Sequence, residues 1–241
     1  MDNYLEDIFK NNIDKNKVKI VFELGSRDLI DSIKLQKYFN CKVYSFECNP
    51  DCLTICRTNY NKLNEITKQS IKLIDFAVST VDGYIKFYPF DLNKYNNMGA
   101  SSCLKIDFSN RCKWDADYNR PNPQKEIIVP SARLDTILTS YKINNIDLLC
   151  MDLQEYELVA LYSLGDHIKN VKYIITEATI NSTYQGGVNF TELYDYLKKY
   201  NFVYICSDEF KYDLPNNNIT GFFHFNVLFM NKNIQHIIYA N

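Results

Sequence analysis

The first apolar run of the chain ends in Glu23-Leu24-Gly25-Ser26, where residue type and spacing suit a ligand site. A strand that opens through a glycine turn into a helix lets the backbone approach a bound molecule closely, because glycine has no Cβ and accepts positive φ. Roughly twenty residues further on, where such folds place an acidic residue, the second apolar run ends in Glu47. A carboxylate there can accept hydrogen bonds from both hydroxyls of a ribose. The pair predicts a cofactor with an adenosine moiety. The turn lacks the complete G-x-G-x-x-G spacing that seats a pyrophosphate on a helix N-terminus, so NAD is poorly matched. S-adenosylmethionine, which has no pyrophosphate, fits better.

Asp152 and Glu177 end two later apolar runs that are expected to be neighbouring strands, which would bring both carboxylates to one rim. Such a pair can remove a proton from an acceptor hydroxyl, or hold a divalent cation that lowers the hydroxyl's pKa. Trp114, the single tryptophan, stands among Arg111, Lys113, Asp115, Asp117 and Arg120, a composition suited to stacking on a sugar face and gripping its hydroxyls. The eight cysteines include no C-x-x-C pair and read as reduced core residues. Cys48, Cys52 and Cys56 are spaced four apart, but nothing nearby supplies a fourth zinc ligand. His167, His224 and His236 show no H-x-x-x-H spacing and take no metal role by themselves.

The elements that must position these residues alternate between β-branched or aromatic runs and helical periods, the pattern of a parallel sheet with crossover helices. Strands are expected at Val18 to Leu24, Lys42 to Cys48, Ile71 to Val78, Asp147 to Leu153, Val171 to Glu177, Phe202 to Cys206 and Phe222 to Met230. Helices are expected at Asp31 to Phe39, Pro50 to about Asn61, Glu157 to Leu164 and Phe190 to Tyr200, with Asn49 capping the second and Gly165 stopping the third. The last two strands flank the turn-forming Leu214-Pro215-Asn216-Asn217-Asn218 and are expected to pair antiparallel. The fold class is therefore α/β, a doubly wound, mostly parallel sheet with a terminal antiparallel hairpin. Gly83 to Pro130 starts with a strand-like piece at Tyr84 to Tyr88 and then turns polar, which reads as a lid or acceptor-binding insertion around 84–130.

A chain of 241 residues, 46% hydrophobic, can bury a sizeable core as one domain. Its 27 basic and 29 acidic residues are interspersed, so no basic surface for nucleic acid is expected and a small molecule is the natural partner. No apolar stretch is long enough to span a bilayer and the N-terminus has no signal pattern, so a soluble, cytoplasmic protein is expected.

Several blocks, in order, resemble methyltransferases of the FkbM type: Glu23-Leu24-Gly25, Glu47-Cys48-Asn49-Pro50, Ala77-Val78-Ser79 with Asp82-Gly83, Gly99 to Ser102, Arg133-Leu134-Asp135, Met151-Asp152-Leu153-Gln154 followed by Glu157, and Thr176-Glu177. The resemblance implies a Rossmann-like fold, S-adenosylmethionine as methyl donor and O-methylation of glycans or other secondary metabolites. By position it places Glu23, Gly25 and Ser26 along the methionine end of the cofactor. Glu47, with Cys48 and Asn49, falls at the ribose, and Asp75, Phe76 and Ala77 fall at the adenine. Ser101, Ser102 and Gln154 join Trp114 on the acceptor side, and Asp152 and Glu177 are the catalytic pair or, with a cation, its ligands. Leu29 and Glu155 stand where similar proteins have glycine. These two departures motivate the rival reading, an inactive relative that binds cofactor or glycan without catalysis.

Overall fold

The computed structural model describes residues 4–93, 98–107, 124–208 and 224–236. Ten strands are defined among them: β1 (Ile20–Leu24), β2 (Lys42–Phe46), β3 (Ile71–Ile74), β4 (Ala77–Val78), β5 (Gly83–Phe87), β6 (Ile127–Ala132), β7 (Ile146–Met151), β8 (Val171–Thr179), β9 (Phe202–Ser207) and β10 (His224–Asn231). The helices are α1 (Asp7–Lys10), α2 (Ile30–Phe39), α3 (Pro50–Asn61), α4 (Glu65–Ser70), α5 (Leu134–Tyr141), α6 (Glu157–Tyr162), α7 (Phe190–Lys198) and α8 (Lys232–His236). No described helix is long and apolar enough to cross a membrane.

Seven strands form one sheet in the order β3-β2-β1-β7-β8-β10-β9. All neighbours are parallel except at β10, which lies antiparallel between β8 and β9. The expected α/β architecture with its antiparallel end is therefore present. Alternate side chains supply a core to each face. Val21, Leu148 and Cys150 pack with Leu35 and Phe39 of α2, while Phe22, Leu149 and Met151 pack with Leu134, Leu161 and Leu193 from α5, α6 and α7. Strand order reverses beside β1, with β2 on one side and β7 on the other, and that switch point is where open α/β sheets leave a crevice.

The caps explain where helices start. Asn49 accepts a hydrogen bond from Asp51 N with Pro50 in the first turn of α3, and Asn189 and Glu192 form a reciprocal capping box on α7.

Two expectations need correction. The run from Ile71 to Val78 is not one strand: β3 ends at Ile74, and Ala77–Val78 leaves to pair with β6 in a second, three-stranded sheet ordered β4-β6-β5. The break lets Phe76 turn into the cavity described below. The segment whose polar part reads as a lid or insertion also contributes β6, despite Pro130. β4 reaches only Ser131 and Ala132, so Pro130 has no partner strand on that side and its missing N–H costs no ladder bond there. Asp82 ties the base of this second sheet to α5, accepting from Arg133 N at 2.9 Å and Thr136 Oγ1 at 2.8 Å, while Arg133 pairs with Asp135.

Candidate active site

β1 ends in a turn that only glycine accommodates. Gly25 has φ +90°, and a Cβ there would lie 2.0 Å from the carbonyl oxygen of Asp152. The amides of Gly25 and Ser26 both donate to Phe46 O at 3.0 Å, and Asp152 N donates to Leu24 O at 3.0 Å, so the tips of β1, β2 and β7 are laced together. Above them lies a cleft open to solvent, with about 640 Å³ of empty space counting the solvent-open part. Gly25, Glu47, Cys48 and Asn49 form its floor. Phe76, Ala77, Val78 and Phe87 form an apolar wall, and Gly99, Ser101, Ser102, Asp152, Gln154 and Tyr156 close the far side.

Glu47 is buried and held by three backbone amides, Arg27 N on one oxygen and Cys48 N and Asn49 N on the other, at 2.7–2.8 Å. Burial raises its pKa, and the three N–H groups and Arg27 oppose that rise. Glu23 behaves differently. Its carboxylate accepts from the hydroxyls of Ser26, Ser32 and Ser45, and neither Glu23 nor Ser26 lines the cavity. Burial lifts Glu23 to about 7. This residue and its serines hold the floor from beneath.

Asp75 also stays off the wall, forming a 3.2 Å ion pair with Arg57 in which both side chains are more than half exposed. Ser102 does face the cavity, yet its hydroxyl donates to Gln154 O at 2.9 Å, fastening the 98–107 loop to the tip of β7. Trp114 lies outside the described residues.

The polar end of the cavity is organised by Gln154. Its amide nitrogen donates to Asp152 Oδ1 at 2.9 Å and Glu177 Oε2 at 2.8 Å, and its oxygen lies 3.2 Å from the Tyr184 hydroxyl oxygen. Two carboxylate acceptors on its nitrogen set which way the amide points. β7 and β8 pair with Met151 opposite Thr176, which sets Asp152 and Glu177 side by side as expected. Glu157, quoted in the sequence only as part of a motif, is buried behind them and accepts Leu153 N at 2.7 Å. Burial, then the neighbouring Glu177 charge, lifts Glu157 to about 8. Asp152, Glu157 and Glu177 place carboxylate oxygens within 4.8 Å of one another. Three carboxylates have the right chemistry for a divalent cation. The N–H₂ of Gln154, however, occupies the bridging position between Asp152 and Glu177 and would repel a cation there. The arrangement does not fit the metal reading.

Both glycine departures keep the glycine conformation. Leu29 has φ +71° and Glu155 φ +70°, preceded by Gln154 at +53°. Leu29 is fully buried in the core beneath α2. The Glu155 carboxylate accepts from Thr183 N and Thr183 Oγ1 at 2.7 Å, from Tyr184 N at 3.2 Å, and from Ser182 Oγ. Sequence reasoning missed Glu155 as an anchor, along with Tyr156 and Tyr184. It also gave no role to His224, whose Nδ1 lies 3.6 Å from Glu177 Oε2. Spacing along the chain carries no signal for it, because Glu177 meets it only through the β8–β10 pairing.

The family model described as the methyltransferase FkbM domain matches residues 29–204. The chain belongs to this family. Among curated proteins, it is 23% identical over 189 residues to the 2-O-methyltransferase NoeI of Sinorhizobium fredii, covering 76% of this chain and 73% of that protein. Among solved structures it resembles M. capricolum TrmK, determined with S-adenosyl-homocysteine, at 12% identity and a TM-score of 0.51, covering 96% of this chain and 69% of that one. That second likeness is one of fold. The family match begins at Leu29, so the parts played by Glu23 to Ser26 rest on the geometry of the turn alone.

Proposed function

We propose that this FkbM-family member is an O-methyltransferase that uses S-adenosylmethionine and acts on a hydroxyl of a small, sugar-like acceptor, as a soluble, cytoplasmic, single-domain protein. One observation carries the reading: the cavity at the switch point joins an acidic ribose partner, Glu47, and an apolar wall to the Asp152-Gln154-Glu177 cluster. Glu47, Cys48 and Asn49 hold the ribose, Phe76 and Ala77 border the adenine, and Gly25 leaves room beside Asp152 for the methionine end. S-adenosylmethionine supplies an electrophilic methyl group on a sulfonium that is already a good leaving group.

The chain's own task is to align the acceptor oxygen and draw its proton away. Asp152 faces the cavity, with Gln154 fixing one of its oxygens toward Glu177. The two carboxylates place negative charge where the hydroxyl proton must leave. Ser101 and Ser102 bring the 98–107 loop to the same end of the cavity, where they meet the acceptor. The non-catalytic alternative drew its support from the two lost glycines. Retention of positive φ at both positions removes that support.

The test is methyl transfer from labelled S-adenosylmethionine to a panel of methyl hexopyranosides. Asp152→Asn should leave cofactor binding nearly intact and slow transfer by roughly 10²- to 10⁴-fold. EDTA should change nothing. Full activity in the double variant Asp152→Asn, Glu177→Gln would move the chemistry elsewhere, and loss with EDTA that magnesium restores would reinstate the cation.

A further inference from the structure

We infer that the Arg27 guanidinium receives the carboxylate at the methionine end of the cofactor, so that the site selects a donor carrying this group. The inference rests on the methyltransferase reading and adds to it a partner for the cofactor's one anionic group. That carboxylate loses water when the ligand enters the cavity, and a desolvated anion needs a cation or several N–H donors. Among the described residues that line the cavity, Arg27 is the one cation, and the other charged groups there, Glu47 and Asp152, are carboxylates.

The turn after β1 fixes where this cation starts. Arg27 lies two residues beyond Gly25 at φ +51°, the left-handed region that a residue with a Cβ seldom adopts. Its N–H donates to Glu47 Oε2 at 2.8 Å, which ties its backbone to the carboxylate that takes the ribose. The side chain therefore leaves the backbone between Gly25 and Glu47, the stretch along which the cofactor runs from its ribose to its methionine end. The charges agree with that placement. Burial pushes the Glu47 carboxyl up, and after the backbone N–H groups the Arg27 charge opposes the rise, so the guanidinium is within electrostatic reach of the ribose partner.

Within the chain the guanidinium pairs with Asp28, but loosely. Nη2 lies 3.9 Å from Oδ2, with 38% of the Arg27 side chain and 24% of the Asp28 side chain exposed. Asp28 Oδ1 is engaged by Ile30 N at 2.9 Å, at the start of α2. An ion pair of this length and exposure contributes little. A ligand carboxylate that offers both oxygens to the planar guanidinium makes two charge-assisted hydrogen bonds and displaces it.

Calorimetric titration of the full chain with S-adenosyl-homocysteine and with S-adenosyl-3-thiopropylamine, the same molecule without its carboxylate, tests the assignment. The parent should bind S-adenosyl-homocysteine roughly 10- to 100-fold more tightly than the decarboxylated analogue. Arg27→Gln should lose that preference: S-adenosyl-homocysteine weakens by the same factor, while the analogue stays within about threefold of its affinity for the parent. Arg27→Lys, which keeps the charge without the planar fork, should retain part of the preference. A parent that binds both ligands equally would overturn the inference, and that comparison needs no variant to fold. Equal losses for the two ligands in Arg27→Gln would also overturn it, because they would mark a residue that only supports the turn. Failure of the parent to bind either ligand would reject the methyltransferase reading, and this inference with it.

Discussion

Glu155 shows how one side chain can occupy a glycine's place without giving up the glycine's conformation. A non-glycine residue at positive φ costs about 1 kcal/mol or more. Here four donors from residues 182–184 converge on the carboxylate and offset that cost. Gly187 is part of the same arrangement, since a Cβ on it would meet Glu155 Oε2 at 2.0 Å. Restoring glycine should therefore harm the protein. Glu155→Gly relieves the backbone but strips a buried group of donors, each worth about 1–3 kcal/mol when left unmade. Urea unfolding should show a net loss of about 2–4 kcal/mol, and a variant as stable as the parent would contradict the account. The departure from glycine was legible in the sequence. Its compensation was not, because the donors lie in a loop far along the chain that only the fold brings near. Glu47 and the Asp152–Glu177 pairing were legible for the opposite reason: each sits at or just beyond the end of an apolar strand, and strand order follows from the βαβ pattern. Glu23 looked like a cofactor contact because it precedes the glycine turn, but the neighbouring serines, spread over Ser26, Ser32 and Ser45, capture its carboxylate.

At the scale of elements, the sheet could be read from the chain and the second sheet could not. β4 and β6 are short, β6 contains a proline, and their pairing joins residues more than fifty positions apart. Neither period nor propensity announces such a contact. Its consequence is functional, because Ala77, Val78 and Phe87 of this sheet are cavity wall. The 98–107 loop is stitched to it by Tyr88 N donating to Ser102 O at 2.8 Å and to the loop after β8 by Tyr184 OH donating to Ala100 O at 2.8 Å. A ligand in the cavity would contact Gly99, Ser101 and Ser102 directly. Hydrogen exchange at the amides of residues 98–104 should slow when S-adenosyl-homocysteine is added and slow further with an acceptor. Exchange unchanged by either ligand would separate this loop from the site.

For the whole molecule, the buried acids make stability depend on pH in an uncommon direction. Glu23 is raised to about 7 and Glu157 to about 8, both from 4.5 and chiefly by burial. A raised carboxyl favours the protonated native state. Its contribution is fully present below about 4.5 and is lost as pH rises through about 7 and 8. The loss for Glu23 is on the order of 3 kcal/mol. Urea midpoints should fall between pH 5.5 and 8.5, and Glu23→Gln should flatten that fall. A parent chain whose midpoint rises over this range would contradict the assignment.

The central claim is that the cavity over β1, β2 and β7 holds S-adenosylmethionine by its ribose. Calorimetric titration of S-adenosyl-homocysteine into the parent and into Glu47→Ala, with NAD as comparator, tests it most directly. The account predicts one site per chain, no binding of NAD, and a loss of about 1.5–3 kcal/mol in the folded variant, the worth of one charge-assisted hydrogen bond to the acceptor site that the three amides leave open. An unchanged dissociation constant in folded Glu47→Ala, or binding of NAD in place of S-adenosyl-homocysteine, would contradict it.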